Sequence, residues 1–160
     1  MNTDPLWIVI GRGMIGLGEV KGAEHSPEIL AMWRDIKRGG IKDDETPWCA
    51  AFVGACLERA GIKSSRFESA RSYLDWGVRL AAPAPGCVVI FSRPGGAHVG
   101  FVVGRDASGD LLVLGGNQGD TVSIKAFKFE RAIGYRWPVD APLATGPLLI
   151  GSASQSESEA

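Results

Sequence analysis

The chain changes character once, at Pro83-Ala84-Pro85-Gly86, and that change limits its fold more than any other feature. Helix signals stand before it. Asp4-Pro5 is a cap followed by proline at the first helical position, which predicts a helix over roughly 5–15. Ser26-Pro27-Glu28 repeats the signal and predicts a second helix to about Lys37, with Ile29, Leu30, Trp33 and Ile36 at helical spacing. A third is expected from Thr46-Pro47 to Ala60, its Cys49, Phe52, Val53, Cys56, Leu57 and Ala60 forming one buried stripe. A fourth, short helix falls around Ser69–Trp76.

Strand signals follow. Cys87–Ser92, Ala97–Arg105, Asp110–Leu114, Thr121–Phe127 and Ala132–Trp137 are β-branched or aromatic runs, most of them separated by Gly, Pro or Asp clusters. Asp106–Asp110 is the clearest hairpin turn. Helices first and strands second is an α+β pattern with an antiparallel, five-stranded meander, not the alternation of a parallel sheet. With 160 residues the chain fits one domain, read as 1–138. Beyond Pro138 the composition turns to Ala/Pro/Gly and then Ser/Glu, so 139–160 is expected to be a disordered tail.

Several function classes recede on composition. A net charge of −1 gives no electrostatic reason to expect nucleic acid as a partner. Three cysteines without a CxxC pair do not make the disulfide framework of a small secreted domain. No basic residue precedes the apolar Leu6–Ile10, so the start does not read as a signal peptide, and that stretch is far too short for membrane insertion. The expectation is synthesis in the cytoplasm without a Sec signal, with some other route delivering a protein that acts outside. Gly11-Arg12-Gly13-Met14-Ile15-Gly16 matches the dinucleotide fingerprint, but the residues after it are poor helix material, as the βαβ context forbids.

Cys49 is the residue that most invites chemistry. With Thr46 as cap and Pro47 first in the helix, it is the third helical residue, where free amides and the dipole favour a thiolate. Its alternative is a small buried apolar residue, the reading that also suits Cys56 in mid-helix and Cys87 at a strand start. His98 lies early in the strand Ala97–Val103, sharing a face with Gly100 and Val102, which leaves an imidazole room. His25 sits in a polar loop and has the weaker claim. Asn117, within Gly115-Gly116-Asn117-Gln118-Gly119-Asp120, is first of all a turn residue and second a group that could orient a histidine. A zinc site would need paired short spacings that Cys49, Cys56, Cys87 and His98 lack. Asp43-Asp44-Glu45 read as solvated charges ahead of a helix, with metal ligation or a substrate rim as the alternative. Trp48 and Tyr73 are candidate cleft walls for substrate, core packing being the other use.

Taken together, Thr46-Pro47-Trp48-Cys49-Ala50-Ala51-Phe52-Val53, Pro85-Gly86-Cys87-Val88-Val89-Ile90-Phe91, Ala97-His98-Val99-Gly100-Phe101-Val102 and Leu114-Gly115-Gly116-Asn117-Gln118 resemble, in this order, the CHAP domains and the related NlpC-type peptidases. The likeness is greatest to a subgroup common in phage and prophage lysis genes, and it spans about residues 5–138. It implies a papain-like fold and cysteine-dependent amide hydrolysis of peptidoglycan, with Cys49 as nucleophile, His98 as base and Asn117 as orienting residue. One departure stands out: many CHAP domains carry a glutamate two residues before the asparagine, where this chain has Gly115. No cofactor, no metal and a monomer are expected. As partners beyond the wall itself, a holin would serve the export of a lysis enzyme, and an immunity protein would accompany an interbacterial toxin. A non-catalytic wall-binding or virion module of the same fold is the rival class.

Overall fold

The computed structural model describes residues 4–19, 25–41, 47–144 and 146–156. Three helices, α1 (Leu6–Arg12), α2 (Pro27–Asp35) and α3 (Cys49–Arg59), precede the sheet, as does a 3-10 turn at Ala70–Asp75. The strands are β1 (Val78–Leu80), β2 (Val88–Arg93), β3 (Gly96–Arg105), β4 (Leu111–Gly115), β5 (Ser123–Phe127) and β6 (Ala132–Trp137). They form one sheet in the order β1-β6-β2-β3-β4-β5, and each neighbouring pair is antiparallel.

The α+β class is as expected, but the sheet has six strands and not five. The additional strand is β1, three largely exposed residues that extend β6 through Val78↔Trp137 and Leu80↔Tyr135. A run that short on a sheet edge shows no alternation, so nothing in its composition marks it. The nucleotide fingerprint finds no strand before it, because Leu6–Arg12 is helical. Gly11 instead lets α1 lie against α3 and β4: a Cβ there would stand 3.0 Å from Leu114 and 3.2 Å from Cys56 and Phe52.

α3 is the centre of the domain. Every residue from Cys49 to Leu57 is buried, and the helix packs on α1, α2, β3 and β4. Phe52 meets Phe101 of β3 edge-on at 6.2 Å, so Phe101 and its strand-mates of like parity face the helix. Full enclosure explains the residue choice, since only small or apolar side chains fit on every side. At Gly54 a Cβ would collide with Ile36, the C-cap of α2.

The N-terminal segment closes on the far end of the sheet. Gly16 N–H donates to Val122 O at 2.9 Å, Val122 N–H to Leu17 O at 2.7 Å and Glu19 N–H to Asp120 O at 3.1 Å. Within 139–160, expected from composition to be disordered, the described residues bond the sheet. Arg105 N–H donates to Leu149 O and Gly151 N–H to Arg105 O; on β5, Ala126 N–H donates to Ser154 O and Ser156 N–H to Ala126 O. The outer end of β3 and the edge of β5 carry backbone groups that need partners, and this segment supplies them whatever its side chains are.

The link from α3 to the 3-10 turn is held by charge. Glu58 accepts from Arg66 at 2.9 and 3.0 Å and from the Ser64 amide and hydroxyl at 3.0 and 2.8 Å. Burial alone would raise this carboxyl, but those donors outweigh it and hold it at about 2, against an ordinary 4.5. A depressed carboxylate stabilises the fold fully above pH 4.5, and the contribution fades as pH falls toward 2. Glu58→Gln is therefore expected to lower Tm by roughly 2–4 °C at neutral pH. In thermal melts from pH 7 to pH 2 the gap to wild type should close with acidification; a gap independent of pH would refute the role given to this charge.

Candidate active site

Cys49 opens α3 and is its first helical residue, with Trp48 in the cap position, two places earlier in the helix than Thr46 as cap would put it. Thr46 and the Asp43-Asp44-Glu45 run lie outside the described residues. The Trp48 backbone accepts from Phe52 N–H at 3.0 Å, and its indole donates to Glu19 at 2.9 Å, which anchors the helix head to the N-terminal segment.

The sulfur is enclosed, and desolvation is the largest influence on it, pushing the thiol above its usual 9.0. Against this, the amides of Val99, Ala50 and Cys49 itself point at the sulfur, and the Arg93 charge is close enough to favour thiolate. Burial wins, so the neutral thiol is the favoured form. Cys49 is 4% exposed and opens on a cleft of about 330 Å³. One wall of the cleft is Ser69–Arg71 at the head of the 3-10 turn, and the other is Arg93 with Gly95–Ala97 of the β2–β3 hairpin. A larger cavity of about 900 Å³ lies between Ile62–Ser65 and Pro138–Ala141 and is lined by none of the candidate residues.

His98 is fully buried on β3, directly beside the residue whose amide meets the sulfur. The pairing of β4 with β3 runs from Arg105↔Leu111 only as far as Phe101↔Leu114. Beyond that end the flank of β3 meets the head of α3, which is how Cys49 reaches Val99. His98 pairs in register with Phe91, and its imidazole stacks on Phe127 at 5.4 Å and 8°. Cys49 and His98 thus meet at one two-residue stretch of β3, where the amide of Val99, next to His98, reaches the sulfur.

The ring is held by Gln118, whose Oε1 lies 2.9 Å from His98 Nε2. Gln118 is fully buried, and its amide nitrogen donates to Val113 O at 3.1 Å and Ser123 O at 2.9 Å. Turning the amide over would set oxygen against two carbonyl oxygens, so Oε1 must face the imidazole and Nε2 must carry the proton. Asn117 is buried one residue earlier in the left-handed conformation, φ 60°, at the turn. The contact expected of Asn117 is made by its neighbour, which the sequence reading passed over although it lies in the same motif. Gly115 explains the arrangement. A Cβ there would collide with the Gln118 amide oxygen and stand 3.4 Å from His98 Nε2. The position that bears glutamate in many CHAP domains is empty here, and Gln118 fills the space.

Trp48 and Tyr73 are corrected by their burial. They are 0% and 1% exposed, and neither lines the cleft. Trp48 backs the Gly116 turn, and the Tyr73 hydroxyl bonds Ser65 and Ser64 below the 3-10 turn, so both are packing residues. His25 is half-buried in the segment before α2. Among the described residues no cluster of His, Cys, Asp or Glu suits a metal ion. Cys56 and Cys87 are fully buried, and burial pushes both thiols up, Cys87 to about 12. Peptide mass spectrometry after iodoacetamide treatment of the native protein should find Cys49 modified first, faster as pH rises. Equal labelling of the three cysteines would contradict the distinction.

The CHAP domain matches residues 41–117, a segment that contains Cys49 and His98 and ends one residue short of Gln118. No curated protein matches the chain. Residues 41–117 therefore carry a CHAP-like domain, and CHAP domains are generally cysteine- and histidine-dependent peptidoglycan hydrolases.

Proposed function

We propose that the chain cleaves an amide bond of cell-wall peptide, with Cys49 as nucleophile, His98 as general base and acid, and Gln118 as the group that orients His98. The observation that carries this reading is the convergence on β3: amides of Val99, Ala50 and Cys49 aimed at one sulfur, beside a histidine whose Nε2 is committed to Gln118. With Nε2 so engaged, Nδ1 is the nitrogen that exchanges a proton with substrate and sulfur.

As the sulfur attacks the scissile carbonyl carbon, its proton passes to His98 Nδ1. The oxyanion that forms faces the amides at the head of α3, which have no partners within the helix. Collapse breaks the C–N bond, and His98 returns the proton to the departing amine. His98 then takes a proton from water, the hydroxide attacks the thioester, and the carboxylic product leaves with Cys49 restored as a thiol. Because burial favours the neutral thiol, charge develops during attack and not in the resting site.

The bond is that of an N-acetylmuramoyl-L-alanine amidase or a stem-peptide endopeptidase, two reactions served by the same catalytic residues. The likeness to a subgroup common in phage and prophage lysis genes supports lysis as the setting. A toxin paired with an immunity protein would show itself by killing on delivery to the periplasm and by relief from a neighbouring gene. Among the described residues no helix is long and apolar enough to cross a membrane.

Cys49→Ala and His98→Ala should each reduce solubilisation of purified sacculi by about a thousandfold or more, and mass spectrometry of the digest identifies the bond. Undiminished lysis by Cys49→Ala would sink the proposal. Gln118→Ala should cost roughly ten- to a hundredfold in kcat with little change in KM. Adding Gly115→Glu to Gln118→Ala should recover part of the loss, since the new side chain starts from the position nearest His98 Nε2.

A further inference from the structure

The cleft beside Cys49 carries charge that amide hydrolysis does not use. Arg93 and Arg71 stand on its opposite walls. Arg93 Nε donates to Ala97 O at 3.1 Å, and Arg71 Nη2 reaches Gly96 O at 3.5 Å. Each guanidinium is thereby tied at one nitrogen to the same short stretch of hairpin, and each retains further N–H donors. Arg93 is also near enough for its charge to act on the Cys49 sulfur. Glu68 is the one acid lining the cleft among the described residues, and Arg38 engages it at 3.5 Å. Among the described residues the cleft is thus cationic within reach of Cys49, on a chain whose net charge is −1.

We infer that Arg71 and Arg93 form a carboxylate subsite, which selects peptide substrates bearing a free carboxylate next to the scissile amide. This rests on the hydrolase reading above and deepens it. A planar guanidinium accepts a carboxylate through two parallel hydrogen bonds, which fixes orientation as well as affinity. Two arginines tethered to one hairpin hold such a group at a constant offset from the sulfur, so binding the carboxylate places the neighbouring carbonyl for attack. A carboxamide at the same place puts an NH₂ against cationic donors and loses the charge-assisted bonds. The chemistry therefore separates acidic stem peptides from their amidated counterparts.

The test uses two soluble synthetic muropeptides that differ only in an isoglutamate or an isoglutamine beside the cleaved bond, with the full chain as enzyme. Wild type is expected to prefer the acid by roughly ten- to a hundredfold in kcat/KM, mainly through KM. In Arg71→Gln and Arg93→Gln that ratio should fall toward one. The wild-type ratio alone decides if either variant fails to fold. Should wild type digest sacculi in a Cys49-dependent manner yet cleave acid and amide peptides equally, the subsite is wrong and the hydrolase reading stands. A persistent preference for the acid in both folded variants would also overturn the subsite. If wild type digests no sacculi, the two fall together.

Discussion

The enclosure of α3 is the constraint on which the rest of the structure depends. A helix buried from Cys49 to Leu57 cannot turn a polar face to water, so its neighbours must supply what its ends lack. At the head of the helix, the amides that would otherwise bond water face a sulfur. The third donor to that sulfur, Val99, comes from the one part of β3 that β4 leaves uncovered. Position and electrostatics then have a single cause. The burial that brings Cys49 against β3 also raises its thiol, and the amides only partly offset it.

A second consequence appears in the loop after β4. Gly116 lies beneath Trp48 and Phe52, where a Cβ would come within 2.5 Å of Phe52 and 2.8 Å of Trp48. The helix head therefore presses directly on the turn that carries Asn117 and Gln118. The same turn is braced from outside by Gly16, Leu17 and Glu19, which pair with 120–122. A shift of α3 would be transmitted through Gly116 to Gln118 and on to His98, so Cys49 and Gln118 share one mechanical support.

Much of this was legible in the chain. The capping signals at Ser26-Pro27 and the β-branched runs after Gly86 correspond to α2 and to β2–β6, because local propensity and burial agree there. The placement of Cys49 at a helix head and of His98 early in a strand was legible because a helix start and a strand start can be located from punctuation. What escaped depended on contacts remote in sequence. The helix begins at Cys49 because Glu19 and Phe52 hold Trp48, and no cap residue announces that. Choosing between Asn117 and Gln118 required knowing that Asn117 adopts φ 60°, which redirects the chain by one residue. Trp48 and Tyr73 looked equally suited to cleft or core, and only packing assigns an aromatic to one of them. The segment after Pro138 was judged by its composition, whereas its described residues bond β3 and β5 through the backbone, with Ser154 and Gln155 adding side-chain bonds.

The neutrality of Gln118 has a meaning of its own. A carboxylate beside Nε2 would stabilise an imidazolium and so favour a standing thiolate–imidazolium pair. An amide fixes the ring and its tautomer but offers no full countercharge, and the ring rests on an aromatic face. Together with a desolvated sulfur, this leaves little to hold separated charges before substrate arrives. In the proposed reaction, substrate changes the balance by bringing a carbonyl oxygen to the amides at the head of α3, where negative charge can move off the sulfur as it forms. Gly115 is the residue that permits this version of the site, since any larger side chain there would displace the amide from His98.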